Sequence, residues 1–339
     1  MSTSEVPKFG YLQATSVDNA VSLLTQYADK ARIIGGATDI LTQMKNGIQA
    51  LTPQYLIDIS ALNLNYVKFS QSDGLRIGAT TTISTVARDS NVISNYAALA
   101  QAAGYVASPQ IQNQATIAGD VLQEVWCWYL RNNYPSCWRN EGNLCYAAEG
   151  GDNRYYHSIF GGNLCYAIHA GDIAPALFAL GAEANIVGPS GQRTVTMDEL
   201  MPGISVVDGR VKENSLAYNE ILTEFHIPTP ESGTKSAFYK VRNRGTFDFA
   251  LASAAVSATF NGSTISSVQL VLGAVANKPL RATSAEQYLD GKTLSESIIS
   301  SAADTALSGA TPLTGGTGNS FRVFLAKGAV KNALRSISS

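Results

Sequence analysis

Between residues 16 and 27 the apolar positions Ala20, Val21, Leu24 and Tyr27 recur at helical spacing behind a serine, which predicts a helix with Ser16 as its N-cap. A short apolar strand over 31–34 runs into Gly35-Gly36. Thr38 then reads as the cap of a helix ending near Asn46-Gly47, and a strand over 55–59 completes a β-α-β unit. Further along, the pattern predicts a strand over 75–80, a short helix over 83–88 and a longer one over 92–104. A polar loop over 108–115 leads into Thr116-Ile117-Ala118-Gly119-Asp120. Within 171–181, Asp172 is placed to cap a helix, Pro175 falls in its first turn and Gly181 ends it. A strand over 183–187, a turn over 188–191 and a helix over 196–200 follow. Beyond a Pro- and Gly-containing linker at 228–234, strands are expected over 237–241, 250–260 and 264–275. Helices over 284–289, 295–307 and, after a glycine-rich loop, 321–337 close the chain.

These elements divide the 339 residues into three parts: an α/β subdomain over 1–60, a second over 61–227, and a C-terminal α+β domain over 228–339 whose strands form a three-stranded sheet. No internal repeat or low-complexity tract interrupts them. Charged residues make up only 15%, well below the usual quarter, a weak hint of burial in a larger assembly. A net charge of −2 offers no electrostatic footprint for nucleic acid, and no run of 18 apolar residues predicts a membrane span. The N-terminal stretch has neither a basic nor an apolar signal region, so the expectation is a cytoplasmic protein with reduced thiols.

Two stretches carry glycine chemistry. In Ile33-Ile34-Gly35-Gly36-Ala37-Thr38-Asp39 a strand ends in two glycines before a helix, a form that lets backbone amides approach a phosphate; an ordinary left-handed turn has the same letters. The segment 116–120 is as modest alone, but the two lie about 80 residues apart and could clamp one pyrophosphate between two subdomains. No G-x-G-x-x-G follows a strand, and Gly291-Lys292-Thr293 lacks a P-loop glycine, with Glu286 in its place.

All four cysteines, Cys127, Cys137, Cys145 and Cys165, lie in one window with gaps of 9, 7 and 19 residues, together with all three tryptophans. Structural zinc favours C-x2–4-C knuckles, which are missing. Widely spaced single cysteines suit a loop around a [4Fe–4S] cluster, which takes four thiolates. Zinc, disulfides and chance clustering stay open on spacing alone. Lys240, Arg242 and Arg244 alternate as on one strand face, either solvated or turned toward a flavin, an anion or a partner. His157, His169 and His226 read as isolated structural histidines, and no catalytic constellation is present.

Taken in order, five segments resemble the FAD-binding medium subunit of the molybdenum hydroxylases, the family of xanthine dehydrogenase, aldehyde oxidoreductase and carbon monoxide dehydrogenase. Residues 33–40 resemble its A-G-G-T-D-L loop and 116–120 its T-I-G-G-N loop. Residues 172–182 resemble S-D-L-A-P-A-L-x-A-L-G-A, 240–250 K-x-x-R-x-x-F-D-F-A, and 273–282 G-G-V-A-x-x-P-x-R-A. The resemblance implies a vanillyl-alcohol-oxidase-type FAD-binding fold (PCMH-type): two α/β subdomains plus a smaller C-terminal domain. It implies cofactor contacts at Ile33, Ile34, Gly35, Gly36, Ala37, Thr38, Asp39, Thr116, Ala118, Gly119, Asp120, Asp172 and Lys240, with Asp172 taking ribityl or ribose hydroxyls. Ala118 and Asp120 depart from the second loop's first glycine and its asparagine; the loop survives the first change if φ stays negative. A subset of the family carries a four-cysteine [4Fe–4S] insertion here, at about 123–166, and the Cys127-Trp128-Tyr129-x-Arg131 opening is similar to the aldehyde-oxidoreductase version. The resemblance further implies an oxidoreductase heterotrimer with a molybdopterin-binding large subunit and a [2Fe–2S] small subunit, delivering electrons to an external acceptor. No residue of this chain need be catalytic, and export on a partner's signal would make the complex periplasmic.

Overall fold

A computed structural model describes residues 5–48, 52–151, 155–207, 210–314 and 318–338; the glycine-rich loop before the last helix lies partly outside them. The chain opens with a parallel three-stranded sheet in the order β1-β3-β2, made of β1 (Gly10–Gln13), β2 (Ala31–Ile34) and β3 (Tyr55–Asp58). Helix α1 (Val17–Tyr27) packs Ala20, Val21 and Leu24 onto Ile57 and Ile59. Its first turn is capped as expected, with the Ser16 side chain accepting from Asn19 N. Helix α2 spans Ile40–Lys45, and its cap position is Asp39 rather than Thr38; the Asp39 side chain makes no cap bond, its carboxylate being drawn elsewhere (below).

The middle part is an antiparallel five-stranded sheet, order β4-β5-β10-β6-β7, from β4 (Val67–Ser70), β5 (Gly74–Gly78), β6 (Glu183–Gly188), β7 (Gly191–Thr196) and β10 (Ile221–Ile227). A small hairpin of β8 (Ser205–Val207) and β9 (Arg210–Lys212) stands beside it. Helix α3 (Ile83–Arg88) is as predicted. The longer helix is broken into α4 (Ser90–Asn95) and α5 (Ala97–Tyr105) at Tyr96, whose ring is buried in the core and whose hydroxyl donates to Pro228 O at 3.2 Å. The polar loop at 108–115 contains one helical turn, α6 (Pro109–Gln112), because Ser108 caps it and Pro109 takes a first-turn position. Short helices α7 (Ile117–Val121), α8 (Trp128–Arg131), α9 (Ile173–Ala179) and α10 (Met197–Leu200) complete this part. Leu75, Ile77, Leu99, Ile117, Leu177, Ile186 and Phe225 share its core.

The C-terminal sheet has the order β11-β12-β13-β14, from β11 (Thr234–Val241), β12 (Ala252–Asn261), β13 (Thr264–Gly273) and β14 (Leu280–Arg281). It therefore has four strands rather than three, since two residues after the 273–279 loop return to pair with Val271 and Leu272. Helices α11 (Thr283–Leu289), α12 (Glu296–Ala306) and α13 (Phe321–Ser338) bury Leu289, Ile299, Val330 and Leu334 against Val256 and Leu270. One polar group is sunk into this junction. Arg322 of α13 is wholly buried and donates to Tyr155 O at 3.0 Å, Leu251 O at 2.6 Å and Ala274 O, so it ties the cysteine window to the one end of the sheet where β12 begins and β13 ends.

Candidate functional site

Strand β2 delivers its residues to a turn that touches the second glycine segment directly. A Cβ on Gly36 would stand 2.1 Å from Gln114 O and 2.9 Å from Ala115 Cα, so only glycine allows this approach. Gly35 faces the Thr116 side chain. Ala37 has φ +62°, a left-handed conformation at the position where A-G-G-T-D-L carries its second glycine. Across from it, Thr116 Oγ1 accepts from Gly119 N at 3.1 Å, and Ile117 N and Ala118 N donate to Thr81 O and Ala79 O. Ala118 lies inside α7 with no left-handed φ, so its extra methyl is accommodated.

The two segments form one wall of a cleft of about 350 Å³ that residues 33–39, Thr116, Ala118, Gly119 and Glu124 line; residues 210–214 and 216–218 face them. Asp120, Asp172 and Lys240 do not reach it. They form a buried polar group behind α7. Asp120 Oδ2 accepts from Ile173 N at 3.0 Å, so Asp120 satisfies the start of α9 while Asp172, at the cap position, makes no cap bond. Asp172 Oδ2 instead accepts from Lys240 Nζ at 2.5 Å. Burial first, and the neighbouring Asp172 second, push the Asp120 carboxyl up to about 7. Strand β11 ends at Val241, so Lys240, Arg242 and Arg244 do not share a strand face: Lys240 is buried, Arg242 lies 4.9 Å from the Tyr105 ring, and Arg244 is exposed beside Asp248.

The cysteine window folds into a small core of its own, in which Cys127, Cys137 and Cys165 are buried with Tyr129 and Leu130, and Cys145 packs against them. All four are free thiols. Burial, then the nearby Cys165, pushes the Cys127 thiol up to about 12; burial raises Cys137 and Cys145 as well. His157 is not isolated: its Nε2 stands 3.4 Å from Cys127 Sγ. Among the described residues no three His, Cys, Asp or Glu side chains are gathered as a site for a metal ion. The other histidines are structural. His169 Nε2 lies 2.9 Å from Val121 O with its pKa lowered to about 4 by burial, and His226 bonds Asp73 O.

Residues 7–230 match the FAD binding domain in molybdopterin dehydrogenase, and residues 237–337 match the CO dehydrogenase flavoprotein C-terminal domain. The chain belongs to the FAD-binding medium subunits of the molybdenum hydroxylases. It is 32% identical over 320 residues to the aldehyde oxidoreductase FAD-binding subunit PaoB of Escherichia coli, covering 92% of this chain and 93% of that one. To the carbon monoxide dehydrogenase medium chain of Hydrogenophaga pseudoflava it is 28% identical, covering 97% and 96%. A solved chain of carbon monoxide dehydrogenase from that organism superposes with a TM-score of 0.75 at 27% identity, over 98% of both chains. The flavoprotein, oxidoreductase and mixed α/β readings of the sequence therefore hold. No helix among the described residues is long and apolar enough to cross a membrane.

Two arginines of this medium subunit were not singled out for what they do. Arg131 is buried; its Nη1 donates to Asp39 Oδ1 at 2.8 Å, its Nε and Nη2 to Val125 O and Glu124 O, and its guanidinium lies 4.2 Å from the Trp126 ring. Asp39 Oδ2 accepts further bonds from Glu124 N and Gln43 Nε2, each at 2.8 Å. The last residue of the first glycine loop is thus bonded to the opening of the cysteine window. Arg139 makes a second link: Nε donates to Cys165 Sγ at 3.3 Å and Nη1 to Glu124 Oε1 at 2.7 Å, while Nη2 pairs with Glu213 Oε1. The one signal in the sequence was a pair of arginines inside an aromatic, cysteine-bearing stretch, where a buried cation needs partners.

Proposed function

We propose that this chain is the electron-transfer subunit of a heteromeric molybdenum hydroxylase that oxidises an aldehyde. It would hold FAD in the cleft against the two glycine segments and a [4Fe–4S] cluster on Cys127, Cys137, Cys145 and Cys165. The observation that carries the reading is the adjacency of two built features. The interlocked loops at 35–38 and 114–119 wall one cleft, and the first of them is a glycine turn, a form suited to a pyrophosphate. Directly behind Glu124 lie four unpaired thiols in one apolar core, with a guanidinium and the Ala167 amide, at 3.4 Å, donating to Cys165 Sγ. Such N–H···S bonds orient ligand sulfurs and tune the metal they hold.

Bound FAD would take electrons singly and release them as a pair, chemistry that belongs to the cofactor. The protein's part is placement. Ile33 to Asp39, Thr116, Ala118 and Gly119 line the cofactor; Asp120, Asp172 and Lys240 brace the second loop from behind. Electrons would arrive from a [2Fe–2S] small subunit beside a molybdopterin-binding large subunit and leave to an external acceptor. The aldehyde assignment draws on the Escherichia coli relative, an aldehyde oxidoreductase subunit by name.

The test is metal and flavin analysis of the complex purified without oxygen. Cys137→Ser should remove the iron of this subunit, leave the partner's [2Fe–2S] signal and retain FAD. Zinc in place of iron at the window in the native complex would sink the cluster reading.

A further inference from the structure

We infer that Arg139, gripped by Glu124 and Glu213, is a positioning residue that couples the cysteine core electrostatically to the flavin cleft and sets the potential of the cluster; this rests on the cluster reading above. One guanidinium spans both places. Its Nε edge donates to Cys165 Sγ at 3.3 Å, and its other face bonds Glu124 Oε1 at 2.7 Å, Glu213 Oε2 at 3.2 Å, Glu213 Oε1 and Val211 O at 3.4 Å. Glu124, Val211 and Glu213 all line the cleft. No other side chain joins a cysteine sulfur to the cleft wall in the hydrogen bonds of the described residues.

The arrangement is built rather than incidental. Arg139 is buried in the short 3-10 turn at Trp138–Asn140, and Glu124, Glu213 and the Cys165 sulfur together hold it in one orientation. The fork-like contact to Glu213 uses both terminal nitrogens, which a lysine cannot reproduce. Inside a protein such charges act with little screening. A cation bonded to a ligand sulfur stabilises the more negative, reduced cluster and raises its potential, whereas the two carboxylates behind it oppose that effect. The same carboxylates face the cleft, so a change in the triad is felt by both cofactors.

The signs make the inference testable by redox titration of the assembled complex, following the cluster by its electron paramagnetic resonance signal and the flavin by absorbance. Arg139→Gln should lower the reduced-to-oxidised ratio of the cluster at a fixed potential by at least tenfold, a displacement of about 59 mV for one electron. Arg139→Lys should recover most of it. Glu213→Gln should move both cofactors the opposite way, and it carries the test alone if Arg139→Gln, which strands two carboxylates, does not assemble. A complex with no iron at the window overturns the cluster reading. Iron present but both potentials unmoved, or moved in the same direction by Arg139→Gln and Glu213→Gln, overturns the coupling while leaving that reading intact.

Discussion

Replacing Asp120 with asparagine, the residue that T-I-G-G-N carries, probes the buried polar group behind the second loop. The wild-type carboxyl titrates at about 7 in the folded chain, against an ordinary value of 3.8, because burial and then the charge of Asp172 disfavour its ionised form. The unfolded chain releases this proton near pH 4 and the folded chain keeps it until about pH 7. Stability is therefore full below pH 4, declines as pH rises through that window and levels off above it. Three pH units at about 1.4 kcal/mol each give an upper bound of roughly 4 kcal/mol. Asp172, also raised by burial, shares the titration, so about 2 kcal/mol is the expected size. Asparagine keeps an oxygen for Ile173 N and carries no charge. Urea unfolding at pH 5 and pH 8.5, with and without FAD, should show the variant gaining about 2 kcal/mol over wild type at the higher pH and about a third of that at the lower. Parallel pH profiles would refute the reasoning, for they would mean that Lys240 answers both carboxylates and that Asp120 is ionised at neutral pH.

Ala37 and Ala274 have φ of +62° and +57° where the family motifs carry glycine, so Ala37→Gly and Ala274→Gly should each stabilise by about 1 kcal/mol, read as a rise of a few degrees in Tm. Gly36→Ala must force Gln114 and Ala115 away; a cost of roughly 1–3 kcal/mol should appear as loss of FAD on gel filtration with unchanged circular dichroism. Asp39→Asn or Arg131→Met breaks a largely buried ion pair, and a loss of about 3 kcal/mol should release FAD and expose residues 123–166 to protease together. A double-mutant cycle in which the two losses simply add would show that the pair does not link loop to window.

Much of the fold was readable along the chain. The helices at 17–27, 83–88 and 321–338 and the long C-terminal strands have strong local periodicity, and the glycine turn announces itself by composition. The strands that escaped are β1, β4, β8, β9 and β14, two to four residues long, and the longer β7 and β10. The apolar positions of the short ones mean little until a distant partner supplies the other half of the pattern, and β10 is defined by its place between β5 and β6, both remote in sequence. Caps failed for a related reason. Asp172 has the right residue type at the right place, but a remote cation, Lys240, takes its carboxylate; the cap expected at Thr38 falls instead at Asp39, whose carboxylate is held by the remote Arg131. The site divides the same way. Its backbone part, 35–38 and 116–119, is local and was legible. The contacts of Arg139 with Glu213, 74 residues away, exist only in three dimensions.

The bonds around Asp39 bear on how such a window could be gained or shed. A version of this chain cut back to omit 123–166 would lose Arg131 and the Glu124 amide, leaving the Asp39 carboxylate with Gln43 alone. The same excision would strip Asn277 of Cys165 O, Asn319 of His157 O and Ser158 O, and Arg322 of Tyr155 O. Transplanting the segment into a medium subunit without it meets a narrower problem: Asp39 belongs to the A-G-G-T-D-L loop and Glu124 travels with the segment, but Glu213, which completes the grip on Arg139, does not. A functional graft must therefore carry Glu213, Asn277, Asn319 and Arg322 along with the loop, because the glycine loop and the cysteine window are held together as one bonded unit.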